Sequence, residues 1–207
     1  MFWDLVFILV SFILGSVPFG KIIASFRGVD ITKEGSGNIG ATNVFRVVGK
    51  IWGIIVLVLD ALKGALPTLV ALWVYNNNVL NFYLPEIYVF VGISSILGHI
   101  FSPFMKFKGG KGVATSLGVF FVLTPIGILI GLVVFGLFMI IFRIVSISSI
   151  AASISVFAYL FVYFVVSGTV SQNYVLLFAS FVVMFLILVR HFSNIKRLIK
   201  GEEKKII

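Results

Sequence analysis

The sequence predicts an all-α protein: a polytopic membrane helix bundle with seven transmembrane helices, the N-terminus outside the membrane and the C-terminus in the cytoplasm. Hydrophobic residues make up 60% of the 207 residues and charged residues only 11%, and the mean hydropathy is +1.20. A soluble domain of this length cannot bury so much apolar surface. Lysine and arginine are grouped between long apolar runs, as in cytoplasmic loops of membrane proteins. No internal repeat or soluble second domain is visible, so residues 1–207 are expected to form a single integral membrane domain.

The first span is expected from about Leu5 to Ala24. No lysine or arginine precedes it, so it lacks the basic n-region of a cleaved signal peptide. Basic residues follow it at once, and the positive-inside rule therefore puts the loop from Lys21 to Lys50 in the cytoplasm. The N-terminus is then outside.

That loop contains residues 35–43, Gly-Ser-Gly-Asn-Ile-Gly-Ala-Thr-Asn, which we call the first glycine cluster. It matches G-x-G-x-x-G, but no strand or βαβ unit surrounds it, and Ala41 stands where a P-loop has lysine. What remains is a run rich in backbone and hydroxyl donors, followed by Arg46, which can bind phosphate bidentately. A flexible cytoplasmic loop is the alternative interpretation.

The second span is expected from Ile51 to Val74 and the third from about Ile87 to Phe104, which carries His99. Within the second span, Asp60 and Lys63 are three positions apart and share a helix face. Ionisable groups at this depth usually face the bundle interior with a partner, so a structural ion pair is favoured over a catalytic role.

Residues 107–115, Phe-Lys-Gly-Gly-Lys-Gly-Val-Ala-Thr, form the second glycine cluster. Its glycines permit backbone turns that a Cβ forbids, so that successive N–H groups can converge on an anion. A helix starting near Val113 would direct its positive dipole end to the same point, and Lys108 and Lys111 add charge. The cluster therefore indicates a phosphate or carboxylate pocket. The alternative is a basic turn that only fixes topology.

At least one of the fourth and fifth spans must be unusually short. Lys111 and Arg143 should both be cytoplasmic, so an even number of crossings separates them, with a break at residues 124–127. Two full crossings need about 20 residues each. A helix from Val113 to Leu123 would be only about 16 Å long, so the second glycine cluster is expected to begin below the membrane surface, where it must line a polar cavity.

The sixth and seventh spans are expected at Ile147 to Val166 and Tyr174 to Val189. If the last helix continued into the cytoplasm, His191, Asn194 and Leu198 would share one of its faces. In this topology all of the 16 lysine and arginine residues except Lys63 are cytoplasmic.

Composition excludes several functional classes. The absence of cysteine excludes disulfides, thiolate metal sites and a cysteine nucleophile, and two histidines without a carboxylate cluster cannot build a zinc site. The net charge of +9 is distributed as for a membrane leaflet rather than for nucleic acid. Phosphate-binding groups are many. The cytoplasmic carboxylates that could act as bases are few and lie outside the clusters: Asp30, Glu34, Glu202 and Glu203. This combination suits transfer chemistry on phosphorylated substrates.

Several motifs together carry a family resemblance. In chain order they are Gly15-Ser16-x-Pro18-Phe19-Gly20, the first glycine cluster, Asp60-x-x-Lys63-Gly64, His99, the second glycine cluster and Arg190-His191-x-x-Asn194-Ile195-x-Arg197-Leu198. Over essentially its whole length the chain resembles the PlsY family of bacterial membrane glycerol-3-phosphate acyltransferases. The resemblance implies transfer of an acyl chain from acyl-phosphate to the 1-hydroxyl of glycerol 3-phosphate, giving lysophosphatidic acid and phosphate. It also implies a multi-pass protein of the bacterial inner membrane, with its active site on the cytoplasmic side.

The polar clusters and the resemblance together give the candidate site. We expect His191, Asn194 and Lys111 to be catalytic. We expect substrate binding by Ser36, Gly37, Asn38, Thr42, Asn43, Arg46, His99, Lys108, Gly109, Gly110, Gly112 and Thr115. No metal or cofactor is expected, and the partners are the two substrates and membrane lipid, with no nucleic acid and a monomeric state.

No serine is visibly arranged with histidine and carboxylate as a triad requires, so direct attack by the glycerol hydroxyl is expected, without an acyl-enzyme. The proton acceptor stays open between a phosphate oxygen of a substrate and His191 acting as a general base. A different class also stays open, a small membrane transporter for phosphate or an organophosphate, because broken helices directed at anions build transport sites too.

Overall fold

The computed structural model describes residues 1–206, and all regular secondary structure in that range is helical. The helices are α1 Phe2–Ser16, α2 Phe19–Phe26, α3 Ala41–Val47, α4 Lys50–Asn76, α5 Ile87–Ile100, α6 Val113–Leu123, α7 Pro125–Phe142, α8 Val145–Val166, α9 Tyr174–Arg190 and α10 Phe192–Ile199, with one 3₁₀ turn at Pro103–Met105. The chain divides into two compact units, Met1–Val122 and the remainder from Leu123.

Five helical segments are long and apolar enough to cross a membrane, and a sixth results if α9 and α10, bent by 55° relative to each other, count as one span. Helix α6 has only 11 residues, so the short arm expected between Lys111 and Arg143 is present. An all-helical membrane protein is therefore confirmed. The count of seven crossings and the orientation of the termini stay predictions, because length and composition alone identify five or six spans.

In the first unit, small residues let α1 and α5 approach closely. Gly15 lies so close to the backbone of Ser95 that a Cβ would collide with it, and Gly98 lies equally close to the backbone of α1. The Ser11 hydroxyl donates to the carbonyl of Val91 at 2.7 Å. Close packing and hydroxyl-to-carbonyl bonds are the means by which helices associate in lipid, where the hydrophobic effect gives little.

The chain breaks between α1 and α2 at Val17, before a proline, which exposes carbonyl groups inside an apolar segment. Side chains from other helices satisfy these carbonyls. Lys63 Nζ donates to the Val17 carbonyl at 2.7 Å, and Ser102 Oγ donates to the Ser16 carbonyl at 2.6 Å. A broken span is tolerated in a membrane only with such partners.

Asp60 and Lys63 form the ion pair that their spacing predicts. Lys63 Nζ lies 2.8 Å from Asp60 Oδ1, and both side chains are buried. Helix α6 then packs against the same helix α4 through reciprocal close approaches, Gly118 to the backbone of Ala61 and Gly64 to Thr115.

In the second unit, α7 and α8 are in contact along their length, with Gly131 of α7 against Val156 of α8. Helices α8 and α9 share an aromatic contact, in which the rings of Phe157 and Phe181 lie 5.6 Å apart. The chain after α10 returns to the end of α7, where the Ile206 N–H donates to the Arg143 carbonyl at 2.9 Å. The unit therefore combines apolar helix contacts with a hydrogen bond from the chain end.

Candidate active site

A single buried amide shapes the first glycine cluster. The Asn43 side chain, at the start of α3, is only 2% exposed. Its Oδ1 accepts from the Ser36 N–H at 2.9 Å, and its Nδ2 donates to the carbonyls of Ile31, Glu34 and Asn38 at 3.3, 3.0 and 2.9 Å. The sequence suggested Asn43 as a substrate ligand, whereas the structure shows it holding the loop together.

The rest of the first cluster fits around this amide. Gly35 has a φ of +63°, and a Cβ there would collide with Asn43 Oδ1, so the position requires glycine. Asn38 Oδ1 accepts from the Gly40 N–H at 2.8 Å, in a local turn that precedes α3. Ser36 is exposed, and Thr42 and Arg46 are half-buried on or beside α3. Sequence-predicted donors of this cluster are thus brought together at one loop.

An apolar cluster beneath this loop connects it with the second glycine cluster. Ala24, Ile31, Ile39, Val44 and Val56 are buried together, and Met105 packs against them. Met105 precedes the second glycine cluster by one residue, Lys106. Both glycine clusters therefore lie at the same end of the first unit, and their place on the cytoplasmic membrane face stays a prediction.

The second glycine cluster is held through its backbone. The N–H groups of Gly109 and Gly110 donate to the carbonyls of Ile100 and His99 at 3.1 Å each, at the end of α5. The sequence predicts that these N–H groups converge on an anion, whereas in the structure they donate to the last carbonyls of α5. Those carbonyls lack intrahelical partners and need donors, which explains the difference.

The imidazole of His99 lies against this cluster. His99 is 4% exposed, and a Cβ on Gly110 would collide with its Nε2. Because Gly110 has no side chain, the imidazole can lie directly against its backbone. Lys108 is exposed and Lys111 is half-buried, and their contacts with substrate stay predictions.

Thr115 occupies a different environment from the rest of its cluster. It is fully buried in α6, with its carbonyl and its methyl group against Gly64 of α4. Gly112, which has a φ of +86°, ends the turn just before α6 begins at Val113. The predicted helix start after the glycines is therefore correct, and the suggested substrate contact of Thr115 stays a prediction.

His191 and Asn194 belong to the second unit. The prediction of a continuing helix through these residues is wrong: α9 ends at Arg190, and α10 begins at Phe192 in a new direction. His191 lies at the joint, 2% exposed, with Nδ1 2.8 Å from the Ile187 carbonyl. Facing a carbonyl, Nδ1 carries the proton of the neutral ring, which leaves the lone pair on Nε2.

Glu203 is a functional candidate that the sequence does not predict. It was placed outside the clusters, but its side chain, 5% exposed, accepts from Asn194 Nδ2, from Arg197 Nε at 2.7 Å and from Ser146 Oγ at 2.9 Å. Burial alone would raise its pKa, but these hydrogen bonds outweigh burial, so the pKa of Glu203 lies below its usual 4.5. With Nδ2 held by Glu203, Asn194 has Oδ1 as the acceptor of its amide.

One signal could have pointed to Glu203. Gly201, with a φ of +70°, allows the chain to turn back after α10 toward Arg197, whose guanidinium can pair with a carboxylate.

Among residues 1–206, no three His, Asp or Glu side chains form a group that could hold a metal ion. The predicted site residues are divided between the two units. His191 and Asn194 belong to the unit that starts at Leu123, and all the others belong to the first unit.

Comparison with known proteins gives consistent similarities. The family described as glycerol-3-phosphate acyltransferase matches residues 5–201. The chain is 41% identical to the glycerol-3-phosphate acyltransferase of Aquifex aeolicus over 96% of both chains, and 43% identical to that of Endomicrobium trichonymphae over 100% of this chain and 97% of the relative.

Two crystal structures of PlsY, an integral membrane glycerol 3-phosphate acyltransferase, are also similar. One is a glycerol 3-phosphate form, with a TM-score of 0.84 and 41% identity. The other is a lysophosphatidic acid form, with a TM-score of 0.82 and 42% identity. Each match covers 98% of this chain and 94% of the other.

Proposed function

Because the chain belongs to the glycerol-3-phosphate acyltransferase family, we propose that it transfers an acyl chain from acyl-phosphate to the 1-hydroxyl of glycerol 3-phosphate. The observation that carries the proposal is the full-length likeness to PlsY in a form with glycerol 3-phosphate and in a form with lysophosphatidic acid, one an acceptor and the other a product. The protein is an integral membrane acyltransferase of phospholipid biosynthesis.

The reaction proceeds by direct transfer. The 1-hydroxyl oxygen of glycerol 3-phosphate attacks the carbonyl carbon of acyl-phosphate, a new ester C–O bond forms, and the bond between that carbon and the phosphate oxygen breaks. Inorganic phosphate leaves, and the hydroxyl proton passes to a phosphate oxygen. Phosphate is a good leaving group, so positioning and charge stabilisation supply most of the catalysis.

Cationic and polar groups of the first unit bind the phosphates. Arg46 and Lys111 supply fixed charge, and Ser36 lies exposed in the loop that Asn43 holds. The remaining candidates of the two glycine clusters shape the site around these groups. Removing either charge should lower activity about ten- to hundredfold, the effect of losing one charge-assisted contact of about 1.5–3 kcal/mol.

His191 and Asn194 orient the attacking hydroxyl. With the proton on Nδ1 of His191, Nε2 is the acceptor atom of the ring, and Oδ1 is the acceptor atom of the Asn194 amide. Either acceptor can take a hydrogen bond from the hydroxyl. His191 acting as general base is the competing route, and loss of an acidic limb near pH 6–7 in His191→Asn would identify it.

The topology follows from the charge distribution. We place seven crossings in the bacterial inner membrane, with the N-terminus outside, the C-terminus and active site cytoplasmic, and the protein acting as a monomer. Counting α6 as a short crossing and α9 with α10 as one span gives the seven.

The experiment is turnover by the purified protein in micelles, where no compartments exist. We expect lysophosphatidic acid and inorganic phosphate in equal amounts from acyl-phosphate and glycerol 3-phosphate, with Arg46→Ala and Lys111→Ala impaired at low glycerol 3-phosphate. A folded wild-type protein without turnover would favour the transporter alternative. If both variants were folded and had normal rates, the assignment of Arg46 and Lys111 to phosphate binding would be wrong.

A further inference from the structure

Asp60 is a buried carboxylate that the proposed chemistry does not use. It lies within α4, 2% exposed, and its Oδ1 faces two nitrogen-bearing side chains. Lys63 Nζ is 2.8 Å from this oxygen, and Nδ1 of His99, on α5, is 3.8 Å from it. The same oxygen atom is thus shared between an ion pair and an imidazole.

The ion pair alone does not account for a carboxylate here. Lys63 has a structural role of its own, since its Nζ donates to the Val17 carbonyl at the break between α1 and α2. Asp60 neutralises that buried charge, but a buried pair often contributes no more stability than well-packed apolar side chains of similar volume. Ionisable groups inside a membrane segment more often indicate function.

The position of His99 suggests what that function is. One edge of its ring, Nδ1, faces Asp60, and the other edge, Nε2, lies against Gly110 of the second glycine cluster. The backbone adds a second link, because the Gly110 N–H donates to the His99 carbonyl at 3.1 Å. The ring therefore stands between a buried carboxylate and the loop assigned to phosphate.

We propose that Asp60 is a positioning residue that acts through His99. Its negative charge favours a proton on Nδ1 and keeps that edge of the ring toward α4, so that Nε2 is presented to the second glycine cluster. At 3.8 Å the two atoms are beyond hydrogen-bond distance, and the carboxylate acts through its charge. This pattern, in which a carboxylate fixes the tautomer and orientation of a histidine, is common where histidine contacts a ligand. The proposal rests on the proposed function for its effect on glycerol 3-phosphate.

The test separates positioning from mere charge neutralisation. Asp60→Asn alone leaves Lys63 buried without a counter-charge, so its thermal midpoint should fall. In Asp60→Asn combined with Lys63→Met no uncompensated charge remains, so the midpoint should recover in part, staying below wild type because the Val17 carbonyl loses its donor. We expect the KM for glycerol 3-phosphate to stay about tenfold raised in this double variant, the effect of one lost orienting contact. A KM that recovers together with the midpoint would show a purely structural pair and overturn the proposal.

A cycle with His99 tests the route of the effect. If Asp60 acts through the ring, Asp60→Asn should raise KM no further in a His99→Gln background. If the rise in KM of the double variant equalled the product of the two single rises, Asp60 would act independently of His99, which contradicts the proposal.

The ring itself gives a readout that needs no activity. The chain has only two histidines, so ¹⁵N NMR of histidine-labelled protein in micelles can be assigned with His191→Gln. We expect His99 to carry a proton on Nδ1, and a proton on Nε2 alone would overturn the proposal. If wild type showed no acyl transfer but His99 carried the Nδ1 proton, the proposed function would fail while the role of Asp60 toward His99 would stand.

Discussion

The two glycine clusters are superficially alike, yet the structure holds them in opposite ways. The first is organised by one side chain, Asn43, whose amide reaches four backbone groups of the loop. The second is organised by its own backbone against the end of α5 and by the imidazole of His99. Gly109 and Gly110 of the second cluster allow close approach to α5, whereas Gly35 and Gly37 of the first supply left-handed turns around a fixed amide.

This difference predicts which kind of substitution damages each cluster. The second should be sensitive to any added atom at Gly110, and the first to removal of one polar side chain. Damage to the second should appear mainly in activity, because its bonds are backbone bonds that an added methyl group shifts rather than removes. Damage to the first should appear in stability as well.

The largest effect is expected for Gly110→Ala. The new Cβ would collide with Nε2 of His99, and either the ring or the loop must move. A displacement of about 1 Å near a reacting substrate costs about a hundredfold in rate, so kcat/KM for glycerol 3-phosphate should fall by about that factor. The control is Gly136→Ala in α7, where a Cβ meets nothing within 4 Å. Equal activities in the two variants would refute the close packing described here.

The next largest effect is expected for Asn43→Ala, which should lower the free energy of unfolding. It removes hydrogen bonds to Ser36, Ile31, Glu34 and Asn38, each contributing about 0.5–1.5 kcal/mol. We expect a loss of about 2–4 kcal/mol in the free energy of unfolding, by the same principle. Asn38→Ala, which removes a single side-chain bond to Gly40, is the matched comparison and should cost much less. A denaturant titration of both proteins in micelles measures the difference, and equal losses would contradict the clamp.

In the second unit, Glu203 plays a part similar to that of Asn43, because one buried side chain binds several groups. Its carboxylate accepts hydrogen bonds from Ser146, Asn194 and Arg197. Its pKa is lowered in the folded state, so its ionised form contributes stability that is fully present above the unfolded value near 4.5 and is lost as pH falls through the lower folded value. Wild type should exceed Glu203→Gln in thermal midpoint at pH 7, and the gap should narrow below pH 4.5. A gap that does not change with pH would argue against an ionic clamp.

The smallest effect is expected for Asp30, at the exposed edge of the first cluster's loop. Hydrogen bonds from Thr32 lower its pKa, and Lys33 lies 3.5 Å away, but its carboxylate is open to solvent. Exposed pairs of this kind contribute little because water and salt screen them. Asp30→Asn should therefore leave both the thermal midpoint and the KM near their wild-type values at pH 7. A clear shift in either would mean that this edge of the loop belongs to the site.

The sequence anticipated much of this architecture where the signal was local. The spacing of Asp60 and Lys63 predicted their ion pair, and glycines ahead of Val113 predicted the start of α6. It did not anticipate Asn43 as a clamp or Glu203 as a partner of Asn194, because each of these contacts depends on how a loop or tail folds back. The joint at His191 was missed too, since residues 190–198 carry no proline or glycine that marks a helix end.

By itself, the sequence determined that the protein is helical and membrane-embedded and that its polar chemistry is concentrated in a few segments, because apolar length and charge placement act on each segment separately. Only the tertiary structure decided which partner each polar atom of those segments contacts. The N–H groups of Gly109 and Gly110 turn to α5, the amide of Asn43 turns inward, and His99 stands between Asp60 and Gly110. The physical reason is that buried polar groups must find partners, and those partners come from whatever the packing of distant segments brings within about 3 Å.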